Sequence, residues 1–239
     1  MLSTVKPAPF KTSISDNFKY GAVALGLLLG PSLPPAAAEA PLATAPVEAK
    51  PQTSASQAPS VPPRPLSATP EPEEYALWSA VIGHGLDKAA KAVVIGHKTT
   101  ADLRGVVPPG AKVEDVAKRL ETTPALLSRW VALNQEGAPL ERNFKLPLPY
   151  ELMDEKARNE LFKGPDPAES WQRFASAHPG APGLLRVSRA ALDDPGQNAL
   201  VYVEFQCGAR CGSGRLIRAQ LGPKGWQLLS GELIWVLGP

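Results

Sequence analysis

Apolar residues recur at every third or fourth position in EEYALWSAVIGHGL, where Tyr75, Trp78, Ile82 and Leu86 share one side behind two acidic residues. That spacing predicts a helix opening at Glu73, with its acids placed against the positive helix end. The next run, AVVIGHKTT, is β-branched from Val93 to Ile95 and reads as a strand. Beyond the turn at Pro108 to Gly110, Val113, Val116, Ala117 and Leu120 mark a second helix. A third begins at Pro124, a favoured first helical residue, and carries Leu127, Trp130 and Val131. LERNFKLPLPYEL is expected to be extended, because Pro147 and Pro149 deny a long helix. Another short helix is expected around Trp171 and Phe174.

The pattern then changes period. GLLRVSRAAL, ALVYVEF, GRLIRAQL and WQLLSGELIWVL are β-rich runs separated by the turn-forming clusters DDPGQN, QCGARCGS and GPKG. Connections this short force neighbouring strands to run antiparallel, since a parallel crossover needs a dozen or more residues. The expectation is an α+β fold: a helical N-terminal half packed on one face of a four-stranded antiparallel β-meander from Gly183 to Leu237, forming a single domain over residues 73–239.

Composition changes the picture at the N-terminus. Fourteen of the 27 prolines lie in residues 1–72. Lys6, Lys11 and Lys19 precede the apolar run Gly21 to Gly30, followed by Pro31 and the small residues Ala36 to Ala38. This order describes a secretory signal peptide over residues 1–38, cut between Ala38 and Glu39. The apolar run is too short for a spanning helix, which needs about 20 residues, so no membrane span is expected after cleavage. Residues 39–72 contain no aromatic side chain and no helical or strand period, and read as a disordered tether rich in Pro, Ala and Ser. Periplasmic or secreted localisation follows.

Charge removes one class of partner. Removing residues 1–38 takes away three of 25 basic and one of 23 acidic side chains, leaving 22 of each. A formally neutral chain lacks the positive field that phosphate backbones demand, so no nucleic-acid partner is expected.

The only two cysteines, Cys207 and Cys211, sit in CGARCGSG. A thioredoxin-type site would use Cys-x-x-Cys at the start of a helix, and a tetrahedral zinc would need two further ligands. Here the spacing is one residue longer and both flanks are strand-like, while His84, His97 and His178 are scattered. In an exported chain, a disulfide across the Gly208-Ala209-Arg210 loop is expected instead. No Ser-His-Asp spacing, phosphate loop or His-Glu metal motif is present, so no catalytic residue, metal ligand or cofactor is assigned. The sheet and its loops are rich in arginine. Arg189, Tyr202 and Arg210 form the candidate surface site, and an envelope enzyme would need a concave site drawing Tyr202, Arg189, His97 or an acidic residue together.

Residues 75–237 resemble a family of uncharacterised, mostly exported bacterial proteins. The resemblance rests on Trp171, Phe174, Pro179, Gly183, Ser188, Arg189, Leu200, Tyr202, Cys207, Gly208, Cys211, Gly212, Gly214 and Trp226. Ala191-Leu192 stands where the family often has Gly-Phe. It implies a domain type and carries no activity across. VVPPGAKVEDVAKRLETTPALLSRWVALN is also similar to a LysM module, which would imply cell-wall glycan binding through residues 106–150, although the interval from Pro124 to Asn134 is about three residues longer than usual for that module. The leading expectation is a non-catalytic binding or scaffolding domain of the cell envelope, partnered by an envelope protein or a cell-wall glycan. The alternative is an envelope enzyme with an unrecognised site.

Overall fold

A computed structural model describes residues 65–102 and 105–238. The expected signal segment 1–38, its cut at Ala38 and Glu39, and tether residues 39–64 lie outside the described residues. In chain order the elements are α1 (Pro72–Gly85), β1 (Val93–Gly96), α2 (Val113–Arg119), α3 (Pro124–Leu133), β2 (Tyr150–Met153), α4 (Glu155–Leu161) and α5 (Pro167–Ala177). The rest is strand: β3 (Leu184–Val187), β4 (Ala191–Leu192), β5 (Asn198–Gly208), β6 (Cys211–Gly222) and β7 (Gly225–Leu237).

The fold is α+β, but the sheet is larger than a four-stranded meander. Seven strands form one mixed sheet in the order β2-β1-β3-β5-β6-β7, with β4 also paired to β5. The β5-β6-β7 hairpins are antiparallel, as their two-residue connections require. Strands β1 and β2 extend the sheet beyond β3, and both pairings of β1 are parallel. Long helical crossovers make this possible: α2 and α3 separate β1 from β2, and α4 and α5 separate β2 from β3. The meander expectation treated the N-terminal half as helical cover. Its two four-residue strands instead complete the sheet.

Helices cover both faces, not one. On the first face, α1 buries Leu77, Trp78, Val81 and Ile82 against Val93, Ile95, Val201 and Ile217. Phe144, from the extended segment before β2, stacks on Trp78 with ring centroids 5.8 Å apart, and Tyr75 meets both rings edge-on. On the second face, α2 and α3 place Val116, Leu127 and Trp130 over Leu200, Tyr202 and Leu216. Phe174 of α5 packs with Val94, Met153 and Leu184, and joins Trp171 and Phe162 in an aromatic group. Alternation along β5 distributes these contacts, with odd residues to the first face and even residues to the second.

Local chemistry accounts for the helix ends. Thr123 caps α3 through its hydroxyl, which accepts from Leu126 N–H at 3.2 Å, and Asp166 caps α5 by accepting from Ala168 N–H at 2.7 Å. Helix α4 was absent from the sequence pattern because none of its residues is fully buried and its apolar stripe is only Ala157 and Leu161, which pack partly buried beside Phe174. Its one sequence signal is the cap: Asp154 accepts from Ala157 N–H at 2.7 Å.

Gly214 marks the closest approach within the sheet. A Cβ there would fall inside contact distance of Trp235 Nε1 and the Tyr202 hydroxyl, which hydrogen-bond to each other across the strand. Gly214→Ala is therefore expected to lower stability by about 1–3 kcal/mol through overpacking, measured by chemical denaturation.

Candidate functional site

The run GLLRVSRAAL is expected to be a single strand, but it breaks after Val187 and resumes at Ala191. Side chains from distant elements satisfy the polar groups of the break. Ser188 is fully buried. Its carbonyl accepts from Trp78 Nε1 at 3.0 Å, and its hydroxyl accepts from Trp130 Nε1 at 3.2 Å and from Tyr202 N–H at 2.9 Å. Asn134 at the end of α3 accepts from Arg189 N–H at 2.7 Å and donates to Arg189 O at 3.1 Å. Glu74 of α1 accepts from Ala190 N–H at 2.8 Å and holds the Arg189 guanidinium in a two-pronged ion pair, with Nη2 to Oε1 at 2.7 Å and Nε to Oε2 at 2.9 Å.

This arrangement corrects the proposed surface site. Arg189 is 3% exposed and Tyr202 0% exposed, so only Arg210, on the β5-β6 turn, faces solvent. Nor do the three converge. Arg189 is committed to Glu74, while the Tyr202 hydroxyl meets Glu204 Oε1 at 3.3 Å beside Trp235. Glu204 is itself fully buried and pairs with Arg186 Nη1 at 3.0 Å. His97 lies elsewhere again, with Nδ1 3.1 Å from Met153 O. His178 Nδ1 is 3.1 Å from Glu151 Oε2. Among the described residues, no group of three or more His, Cys, Asp or Glu side chains is placed to hold a metal ion.

The arginine at the break also reaches backwards along the chain. Its Nη1 donates to Ser67 O at 3.0 Å and its Nη2 to Thr69 O at 3.1 Å. The tether was expected to run free to Pro72. Its last residues are instead bonded to the domain, and the boundary moves back to at least Ser67.

Cys207 and Cys211 form a disulfide with a Cα–Cα distance of 5.0 Å. The pairing is as expected, but the register differs. Cys211 sits opposite Gly208, and Gln206 opposite Gly212, so Cys207 is an extra residue in a bulge, not the direct partner across a three-residue loop. The hairpin closes through Ala209 and Arg210 alone, a two-residue connection that suits the sheet twist.

Next to this stapled hairpin lies a concave apolar surface. Val81, Ile82 and Leu86 of α1 form its wall, and Leu185, Val203, Phe205 and Ile217 its floor. Asp87 and Arg215 are the charged residues of its lining. The cavity holds only about 60 Å³. Its floor continues across the sheet, because Phe205, Ser213 and Val236 are cross-strand neighbours, as are Val203, Arg215 and Leu233. Val236 is 60% and Leu233 46% exposed. No residue of β7 is buried, although the strand carries Trp226, Leu228, Leu229, Leu233, Ile234, Trp235, Val236 and Leu237. The sequence pattern identified β7 as a strand. It offered one hint of this exposure, in apolar residues that do not alternate strictly with polar ones.

Among the aromatic residues of 106–150, Tyr150 is partly buried against the core of the first face. Trp130 and Phe144 both lie in the core. No family model, curated protein or solved structure matches this chain. Among the described residues, no helix is long and apolar enough to cross a membrane.

Two measurements follow. Replacing both Cys207 and Cys211 by Ser is expected to keep the fold and lower stability by about 2 kcal/mol or less, since only a short loop is freed; denaturation with and without reductant measures it. Burial holds the Tyr75 hydroxyl above the ordinary tyrosine value, and the nearby Glu141 and Glu74 charges reinforce the shift against the hydrogen bond from Glu141 N–H. The unfolded chain ionises first on going alkaline, so this contribution to stability is intact below the ordinary tyrosine value and is lost as pH rises through the folded one. Tyr75→Phe should flatten that part of an alkaline denaturation profile.

Proposed function

We propose that the chain is an exported, non-catalytic binding module, and that the apolar surface beside the stapled hairpin holds a segment of a protein partner in the cell envelope. The carrying observation is the exposure of Val236 and Leu233 on β7, which stand on the face of the groove floor, across Ser213 and Arg215 from Phe205 and Val203. Large exposed apolar side chains gathered on one strand beside an apolar groove mark an interaction site more often than scattered ones do.

Size and chemistry select the occupant. A cavity of about 60 Å³ is far below the roughly 300–1,000 Å³ of small-molecule pockets, so a ligand must be held from outside by an extended surface. The wall and floor are mostly aliphatic and aromatic, with Asp87 and Arg215 the charged residues of the lining, which favours an apolar polypeptide with polar flanks over a glycan. The exposed edge of β7 is blunted against simple strand addition. Ile234 and Leu229 are bulge residues, and the inward-pointing Glu232 pairs with Arg119 of α2. The partner therefore lies on the face of the sheet. The disulfide, next to Phe205 and Ser213 on the same hairpin, stiffens the floor of that face.

Export is supported by the order of lysines, apolar run and small residues before Glu39, and by the disulfide, which persists in oxidising compartments.

A photo-crosslinking residue placed at Val236 in the full chain, expressed in its native cells, tests the reading. A discrete protein adduct is expected from Val236, none from the exposed Lys224 turn, and loss of the adduct when Leu233→Glu is added. Equal labelling from Lys224 and Val236, or an adduct indifferent to Leu233→Glu, would remove the surface from consideration.

A further inference from the structure

The buried Arg189–Glu74 pair has a geometry that core packing alone does not require. Glu74 takes the guanidinium Nε and one Nη2 proton, and every remaining N–H points at a main-chain carbonyl of one short segment. Nη2 reaches Thr69 O at 3.1 Å, while Nη1 reaches Ser67 O at 3.0 Å and Ala68 O at 3.5 Å. A second arginine, Arg129 on α3, donates from Nη2 to Pro65 O at 3.2 Å. Four of the five carbonyls from Pro65 to Thr69 thus face two arginines on different elements.

We propose that Arg189 and Arg129 form a cradle for a bent, proline-bracketed main chain, and that residues 65–69 are latched into it so that the tether leaves the domain from a fixed point. Three features support this. Pro65 and Pro70 bracket the segment and narrow its backbone freedom, and the Ser67 hydroxyl donates to Thr69 O at 2.8 Å across the bend at Ala68 and Thr69. The bonds go to carbonyls and not to side chains; Leu66 is 52% exposed, so the cradle reads backbone shape and tolerates sequence. The crevice left between strap and cradle is about 10 Å³, room for at most one water, so the segment fills its site.

The latch has a mechanical consequence. A pull on the tether arrives at Arg189, which is bonded through its backbone to Asn134 and follows directly on Ser188, instead of peeling α1 from its first turn. Glu74 neutralises the buried guanidinium and also aims it, since a lysine could pair with the carboxylate but could not present the fork to successive carbonyls.

Elastase cleavage at Ala68–Thr69 tests the proposal in the full chain, with a synthetic peptide of residues 61–73 as the unlatched reference. When opening is fast, cleavage tracks the population of the open form, and the chain should be cut at least about tenfold more slowly than the peptide. Arg129→Ala, on the surface of α3, should speed cleavage about threefold, and Arg189→Lys should bring it close to the peptide rate while tryptophan fluorescence remains native. If Arg189→Lys fails to fold, Arg129→Ala decides. Cleavage of the wild-type chain within about twofold of the peptide, or a rate unchanged in Arg129→Ala, would overturn the latch. Protection that falls on dilution would mean that the strap comes from a second copy, which also overturns it.

Discussion

A charged side chain taken out of water is tolerated only when its partner and its remaining protons are all accounted for, and the Arg189–Glu74 pair is the point at which this structure meets that demand. The two residues are 115 positions apart, one in the break between β3 and β4 and the other in the first helix. Removing either would leave an uncompensated buried charge, with a cost of about 3–5 kcal/mol. Around the pair, Asn134, Trp78, Trp130 and Tyr202 complete the hydrogen bonding of Ser188 and Arg189. Helix α1, helix α3 and strand β5 are thereby tied to a single three-residue corner. Such a network specifies one arrangement, because a partial set of bonds is worse than none.

That corner divides the molecule's work between two ends of α1. The N-terminal end carries Glu74 and the strap. The C-terminal end, with Val81, Ile82 and Leu86, stands over the apolar groove beside the disulfide hairpin. Strand β7 supplies exposed leucine and valine to the same face, and its two bulges and Glu232 keep the edge from acting as a template for further strands. Apolar surface is left open while strand addition is discouraged, a combination that suits docking on a face.

The aromatic residues show how function and packing separate in this chain. Tyr202 is wholly interior, and its hydroxyl and the Trp235 indole occupy the space a side chain at Gly214 would need. Gly214 and Tyr202 therefore belong to one packing unit. A reading of Tyr202 and Arg189 as surface residues treats polar atoms as evidence of exposure, whereas here each polar atom has an interior partner.

The sequence by itself determined the features that depend on near neighbours. Helices α1, α2, α3 and α5 were legible because their apolar spacing is local, with Pro124 marking the start of α3, and β5, β6 and β7 because short turns admit only antiparallel pairing. The cysteine pair was legible because so few residues separate its members. Tertiary structure decided what depends on distant residues. Four-residue strands β1 and β2 carry too little pattern to reveal that they pair in parallel across helical crossovers. The bulge at Cys207 and the bulges in β7 are differences of one residue in register, which sequence period does not resolve. The burial of Arg189 required Glu74, Asn134 and the carbonyls of Ser67 and Thr69 to arrive together from three separate parts of the chain. A polar residue is stable inside or outside according to the partners that folding brings to it, and those partners are set by the three-dimensional path of the chain.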